Sequence, residues 1–108
     1  MIEIKGNDIA ISQGDTFDVI FALNGYEITK EDKVIFSVKK TTFSEKCLIK
    51  KEFTDFDGGE GVQIRITAAD MQKLEPGDYV YDLLVVSGDV RTTLNFPAKL
   101  EVRRVAHE

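Results

Sequence analysis

The sequence has one cysteine, one histidine, two prolines and no tryptophan in 108 residues. A single cysteine, Cys47, excludes an intrachain disulfide and any metal site built from clustered cysteines. The single histidine, His107, stands next to the C-terminus, where chain ends are commonly frayed, so no positioned imidazole is expected beside a nucleophile. A phosphate-binding glycine loop and a dinucleotide fingerprint are also missing. We therefore expect a protein that is not an enzyme, with no catalytic residue and no cofactor.

Long apolar runs and an excess of positive charge are missing as well. No stretch approaches the ~18 consecutive apolar residues of a membrane span, and the first residues lack the pattern of a signal peptide. Lys and Arg number 14 against 19 Asp and Glu, which gives a formal net charge of −5. Because phosphate binding needs a concentrated basic face, we expect neither nucleic acid nor a membrane as a partner.

One local set of lysines departs from this acidic average: Lys39, Lys40, Lys46, Lys50 and Lys51. On adjacent strands they could gather into a basic patch. The better explanation is an edge strand whose lysines discourage unwanted strand pairing, since no aromatic stacking pattern accompanies them.

The chain is rich in hydrophobic residues at alternate positions. Such rows begin at Phe17, Val34, Val62, Tyr79 and Val90. Period two places each row on one face of a strand, and turn signals rich in Gly, Asn and Asp separate the rows. About seven to nine short strands with turns between them predict an all-β, antiparallel β-sandwich or barrel. We expect one domain over residues 1–108, with 90–96 and 98–102 as separate strands.

A single short helical turn is predicted near residues 68–73. Thr67 is a suitable N-cap for this turn, and Pro76 and Gly77 stop it before the next strand. Tyr79 then begins a strand, as in the tyrosine corner of Greek-key sandwiches, where the hydroxyl bonds back to the preceding connection. These residues have a structural role, and they favour an immunoglobulin-like Greek-key sandwich.

Several short segments, in their order along the chain, carry a family resemblance. They are Gly14-Asp15-Thr16, Val34-Ile35-Phe36-Ser37-Val38, Gly61-Val62-Gln63-Ile64-Arg65-Ile66-Thr67, Leu74-Glu75-Pro76-Gly77-Asp78-Tyr79-Val80-Tyr81-Asp82-Leu83, and the final hairpin with Arg91-Thr92-Thr93-Leu94 and Phe96-Pro97. Together they resemble the N-terminal immunoglobulin-like domain of phage baseplate upper proteins and related prophage structural proteins. The resemblance covers nearly the whole chain, with one departure at Ala98-Lys99, where a glycine is expected.

This resemblance implies a non-enzymatic structural subunit of a phage or prophage tail or baseplate that works by protein–protein assembly. Its implied partners are other tail or baseplate proteins, or further copies of the same chain in a homo-oligomer. The implied location is the virion, after synthesis in a bacterial cytoplasm.

The strand that follows the helical turn has apolar residues on its second face as well. Val80, Leu84 and Val86 share that face, and an earlier strand of an immunoglobulin-like sheet would add Ile35. Outward-facing residues of a sandwich are usually polar, so apolar residues there predict a covered face. We expect these four residues to form an interaction surface; the alternative is scattered surface aliphatics, which are common.

Three carboxylates in a predicted loop, Asp55, Asp57 and Glu60, are the only weak candidates for a metal. Carboxylate oxygens and the glycines between them suit Ca²⁺. The spacing does not match a helix–loop–helix calcium loop, and turn chemistry explains these residues better. We therefore expect no metal site.

A ligand-binding module, such as a carbohydrate-binding or adhesion domain, is the alternative function. Its binding site would lie in loops at one end of the sandwich. Sugar rings usually stack on exposed aromatic side chains, and only Tyr26 and Phe43 are good exposed candidates. The shortage of such residues favours assembly.

Overall fold

Strands make up most of the fold. The computed structural model describes residues 2–22, 28–41, 46–54, 56 and 61–104, and for 94–97 it describes the backbone only. The elements are β1 (Ile2–Lys5), β2 (Asp8–Ser12), β3 (Phe17–Ala22), β4 (Lys33–Lys39), β5 (Ile49–Phe53), β6 (Gly61–Ile66), α1 (Ala68–Met71), β7 (Gly77–Ser87) and β8 (Val90–Arg103). The all-β prediction is confirmed. No helix in these ranges is long and apolar enough to cross a membrane.

The strands form two sheets of unequal width. The larger has six strands in the order β1-β2-β8-β7-β4-β5, and the smaller pairs β3 with β6. Ladders are antiparallel, as predicted, except that β2 runs parallel to β8. The prediction of a purely antiparallel fold is therefore wrong at this pair. Because β2 and β8 are far apart in sequence, no turn signal between them could indicate their relative direction.

The two sheets enclose one core. Alternate residues of β3 and β6 are buried, as period two predicts. Phe17 of β3 packs on Phe36 of β4 with ring centroids 5.2 Å apart, and Phe21 packs on Tyr81 of β7 at 5.9 Å. Aromatic rings at such separations add to the apolar area that they bury. These contacts join the inner faces of the two sheets.

The connection from β6 to β7 has the local structure that the sequence predicts. The Thr67 side chain accepts a hydrogen bond from the Asp70 amide at 3.3 Å and so caps α1. The helix covers Ala68–Met71, and turn hydrogen bonds continue it through Lys73, in agreement with the helical turn predicted near residues 68–73. The Tyr79 hydroxyl donates to the Glu75 carbonyl at 2.6 Å. This bond ties the start of β7 to the connection before it, which confirms the contact predicted for Tyr79.

The final strand differs from the sequence prediction. Residues 90–96 and 98–102 were expected to form two strands, whereas the structure has one continuous β8. Its register with β7 shifts between Tyr81, which is opposite Ala98, and Leu83, which is opposite Leu94. Ala98 and Leu94 are four residues apart on β8, whereas their partners are two residues apart on β7. β8 therefore has a bulge here, which contains Pro97. A bulge tolerates proline because it leaves residues outside the ladder.

A buried carboxylate holds the loop before β4. Asp32 is 4% exposed, and its carboxylate accepts a hydrogen bond from the Thr29 amide at 3.0 Å. The backbone bond from the Asp32 amide to the Thr29 carbonyl, at 3.1 Å, closes the same turn. Hydrogen bonds from the Thr29 amide and the Ser87 side chain lower the pKa of Asp32 and outweigh the effect of burial. The loop is thereby fastened to the end of β7.

Candidate interaction surface

The four predicted interaction residues lie together on the larger sheet. We call the side of this sheet that faces away from β3 and β6 the outer face. Ile35 on β4 is directly opposite Leu84 on β7, and the same ladder places Val80 and Val86 on this face. All four side chains are half-buried. The structure thus brings together the residues that the sequence singled out, and we call them the apolar group.

A carboxylate interrupts the apolar group. Asp82 lies opposite Ser37 on the outer face, between Val80 and Leu84 along β7. Burial raises the pKa of Asp82, and the nearby Lys39 ammonium partly opposes that effect. A carboxylate in such surroundings keeps its charge at some cost in free energy, so the outer face has a polar centre that a partner would have to match.

Charged side chains surround the apolar group. The ladders place five cations on the outer face beside these aliphatic residues: Lys33, Lys39, Lys50, Arg91 and Lys99. The same ladders place four carboxylates there, Glu52, Asp78, Asp82 and Glu101, and Glu52 forms an ion pair with Lys33 at 3.8 Å. Cations and carboxylates on this surface are therefore nearly balanced in number.

A charged groove of about 340 Å³ continues the outer face toward β1 and β2. Its lining includes Asp8, Asp78 and Lys99. At its side, Arg103 contacts Glu3 at 2.9 Å and Glu101 at 3.2 Å. Charges paired in this way satisfy one another at the surface and contribute little to stability. No aromatic ring of the described residues lines the groove, so none of them offers a platform there on which a sugar ring could stack.

The lysines that could have gathered into a basic patch divide between the two faces of the sheet. β5 lies at the edge of the sheet, as expected, but its lysines point to opposite faces. Lys50 is opposite Ser37 on the outer face, whereas Lys51 reaches Asp70 of α1 at 2.8 Å. Lys40 lies over the Tyr79 ring, 4.6 Å from its centroid. Lys39 and Lys50 therefore share the outer face, whereas Lys40 and Lys51 each contact a residue away from it.

Several candidates from the sequence lie outside the described residues: Asp55, Asp57, Glu60, Tyr26, Phe43 and His107. Within the described ranges, no three His, Cys, Asp or Glu side chains are grouped so that they could hold a metal ion. Cys47 is described and is half-buried.

Sequence reasoning missed two exposed aliphatic residues away from the outer face. Ile4 is 55% exposed and Ile20 is 72% exposed. The signal for Ile20 was available, because it follows Val19 and precedes Phe21, and so falls on the otherwise polar side of an alternating strand. Ile4 gave no such signal, since its exposure depends on where the smaller sheet ends.

Comparison with protein-family models and with curated proteins finds no match for this chain. Any functional conclusion therefore depends on the geometry of the described residues, and the apolar group with its charged rim is the candidate that this geometry offers.

Proposed function

We propose that this chain is a non-enzymatic structural protein of a phage or prophage tail or baseplate, and that it acts by protein–protein assembly through the outer face. One observation carries the proposal: Ile35, Val80, Leu84 and Val86 gather on a single solvent-facing side of a sheet. Apolar residues grouped on one exposed sheet face are typical of interaction sites, and such a group with a polar rim resembles a protein interface.

The proposal includes an immunoglobulin-like Greek-key fold for the domain. Two contacts support it: the bond from the Tyr79 hydroxyl to the Glu75 carbonyl, which has the form of a tyrosine corner, and the packing of Phe17 on Phe36 between the sheets. The chain also crosses from the larger sheet to β3 and back to β4, and later from β5 to β6 and back to β7. Such crossings are typical of Greek-key connectivity.

The charges on the outer face favour a particular kind of partner surface. Lys33, Lys39 and Lys50 lie on the β4–β5 side of the apolar group, so a partner surface with carboxylates at the matching position would be complementary. A second copy of the chain has carboxylates of its own on this face, Asp78 and Glu101. The charges therefore suit either another tail or baseplate protein or a homo-oligomer.

The direct test is to purify phage particles from the bacterium that encodes the chain and to identify their proteins by mass spectrometry. The proposal predicts this chain in the particles at a constant ratio to the other tail proteins. Particles that contain every other tail protein but not this chain would refute it. Light scattering on the purified chain over a concentration series would separate a homo-oligomer from a monomer that needs a different partner.

The carbohydrate-binding alternative has no supporting observation among the described residues. The charged groove lacks an aromatic platform, and the exposed aromatic candidates, Tyr26 and Phe43, lie outside those residues. Binding to a labelled glycan panel would favour the alternative.

A further inference from the structure

The unequal width of the two sheets leaves two overhangs on the larger one. Six strands face only two, so the larger sheet extends beyond the smaller on both sides. On one side the overhang is β5, and on the other it is the β1–β2 hairpin. Where no strand of the smaller sheet packs on the larger sheet, apolar residues on the inner face of the larger sheet are left in contact with water.

The β5 overhang is covered. Asp70 of α1 reaches Lys51 of β5 at 2.8 Å, and Met71 and Leu74 from the same connection are buried at 2% and 1% exposure. The connection that follows β6 thus occupies the place of a missing strand on that side.

None of the described residues covers the β1–β2 overhang in this way. Ile4 of β1 pairs with Ile9 of β2, so both side chains point to the inner face, yet Ile9 is buried and Ile4 is 55% exposed. A slot of about 300 Å³ lies between this hairpin and β3. Its lining includes Ile4 and Ile9 of the hairpin, Val19 and Phe21 of β3, and Tyr81. None of the described residues that line the slot has a charged side chain, in a chain with 31% charged residues.

One wall of the slot is an open strand edge. Among the described residues, β6 is the strand that pairs with β3, over six residues from Phe17 to Ala22. In an antiparallel pair, alternate residues turn their N–H and C=O groups away from the partner strand. Half of the β3 backbone groups are therefore directed toward the slot, where they offer donors and acceptors to another strand.

The opposite wall is held in position. The Tyr81 hydroxyl donates a hydrogen bond to the carbonyl of Asn7 in the β1–β2 turn, so the hairpin is fastened to the centre of the larger sheet. A slot between a fixed hairpin and a paired strand is preorganised, which reduces the cost of ordering upon binding.

We propose that this slot binds one extended, uncharged segment of a partner polypeptide, which adds to β3 as a strand and places an apolar side chain over Ile4. Strand addition uses main-chain hydrogen bonds for affinity and pockets for alternate side chains for specificity. The uncharged lining selects against charged segments, because a charge brought there would lose its hydration without a partner.

The overhang itself argues against β3 of a second copy as the occupant. If the β3 strands of two copies paired, the β1–β2 hairpin of each copy would extend beneath the smaller sheet of the other copy. That space is already occupied by the other copy's own β1–β2 hairpin. A single strand on a flexible arm has no such sheet beneath it. This inference concerns a surface separate from the outer face and does not depend on the proposed function.

The test measures amide hydrogen exchange by NMR, with and without the blocked peptide acetyl-Thr-Val-Thr-Ile-Thr-Val-Thr-amide at ~1 mM, a concentration suited to weak binding. The expected result is at least ~10-fold slower exchange at alternate amides of β3, the pattern of a newly paired edge. The same peptide with N-methyl groups on one edge of its backbone should bind, and with N-methyl groups on the other edge it should not.

Two variants complete the test, Ile4→Glu in the slot and Val90→Glu as the matched control. Val90 is 63% exposed and is not among the residues that line the slot, so its replacement should leave peptide protection unchanged, whereas Ile4→Glu should weaken binding at least ~10-fold. Protection that appears on β5 instead, no protection of β3, or equal effects of the two variants would overturn the proposal. Dimerisation of the chain through β3 would also overturn it.

Discussion

The hydroxyl of Tyr79 donates a 2.6 Å hydrogen bond to the carbonyl of Glu75, four residues earlier in the chain. The ring of Tyr79 is buried in the core, while its hydroxyl fastens the connection that passes from the smaller sheet to the larger one. Burial, together with the negative charge of Glu75, raises the pKa of the phenol, although the bond to the Glu75 carbonyl opposes this. The phenol is therefore un-ionised at neutral pH and remains a donor.

Tyr79→Phe removes this hydrogen bond and keeps the ring. We expect the free energy of unfolding to fall by about 1 kcal/mol, since the Glu75 carbonyl loses its partner. Urea unfolding of the variant and the wild type measures the difference. A loss of less than ~0.3 kcal/mol would show that the bond contributes little to stability.

Asp32 makes the fold sensitive to acid. Its pKa is lowered from the ordinary value of 3.8 by hydrogen bonds from the Thr29 amide and the Ser87 side chain. A carboxyl with a lower pKa in the folded state contributes stability above its unfolded pKa, and this contribution is lost as pH falls through the folded pKa.

Asp32→Asn should therefore be less stable than the wild type at pH 7, by about 1 kcal/mol. The difference should shrink as pH falls below 3.8, the ordinary value, because the wild-type carboxyl then becomes protonated as well. Unfolding curves at several pH values measure this. A difference that stays constant with pH would contradict the role given to the charge.

Asp82 should affect the pH dependence of stability in the opposite direction to Asp32. Burial raises its pKa, so the folded state binds the proton more tightly than the unfolded state, and the ionised carboxylate costs stability above the folded pKa. Asp82→Asn should raise the free energy of unfolding at pH 7 by about 0.5 kcal/mol, with the gain disappearing at acidic pH. A variant that is less stable at pH 7 would show that Lys39 more than offsets the burial.

Much of this fold could be predicted from local sequence. The alternation of apolar residues predicted where the strands lie. The hydrogen bonds of Thr67 and Tyr79 could also be predicted, because each partner is within four residues along the chain. The merged strand β8 could not be predicted, since Pro97 normally ends a strand and only the ladder to β7 shows that it sits in a bulge.

The candidate surface, like the fold, could be predicted from the sequence only in part. Ile35 and Leu84 were correctly placed on one face, because alternation within each strand is local and the pairing of the two strands follows from the expected sheet. The charged rim depends on the registers of β5 and β8, and the exposure of Ile4 depends on the width of the smaller sheet. Both are long-range properties that no single segment of the sequence contains.

Leu84→Asp tests the outer face while sparing the core, because Leu84 is half-buried on the solvent side of β7. We expect the purified variant to remain folded, with a loss of at most ~1 kcal/mol, and its incorporation into particles to fall at least ~10-fold, as for a charge placed in an interface core. Val90→Asp, at an exposed position outside the outer face, is the matched control and should be incorporated normally. Equal incorporation of the two variants would count against the outer face.

Hydroxyl-radical footprinting tests the central claim most directly, by comparing the purified chain with the same chain in phage particles from the bacterium that encodes it. The account predicts that labelling of Ile35, Val80, Leu84 and Val86 falls at least ~5-fold in the particle, as in a desolvated interface core, while labelling of Val90 is unchanged. Equal labelling of the four residues in both states, or absence of the chain from the particles, would contradict it.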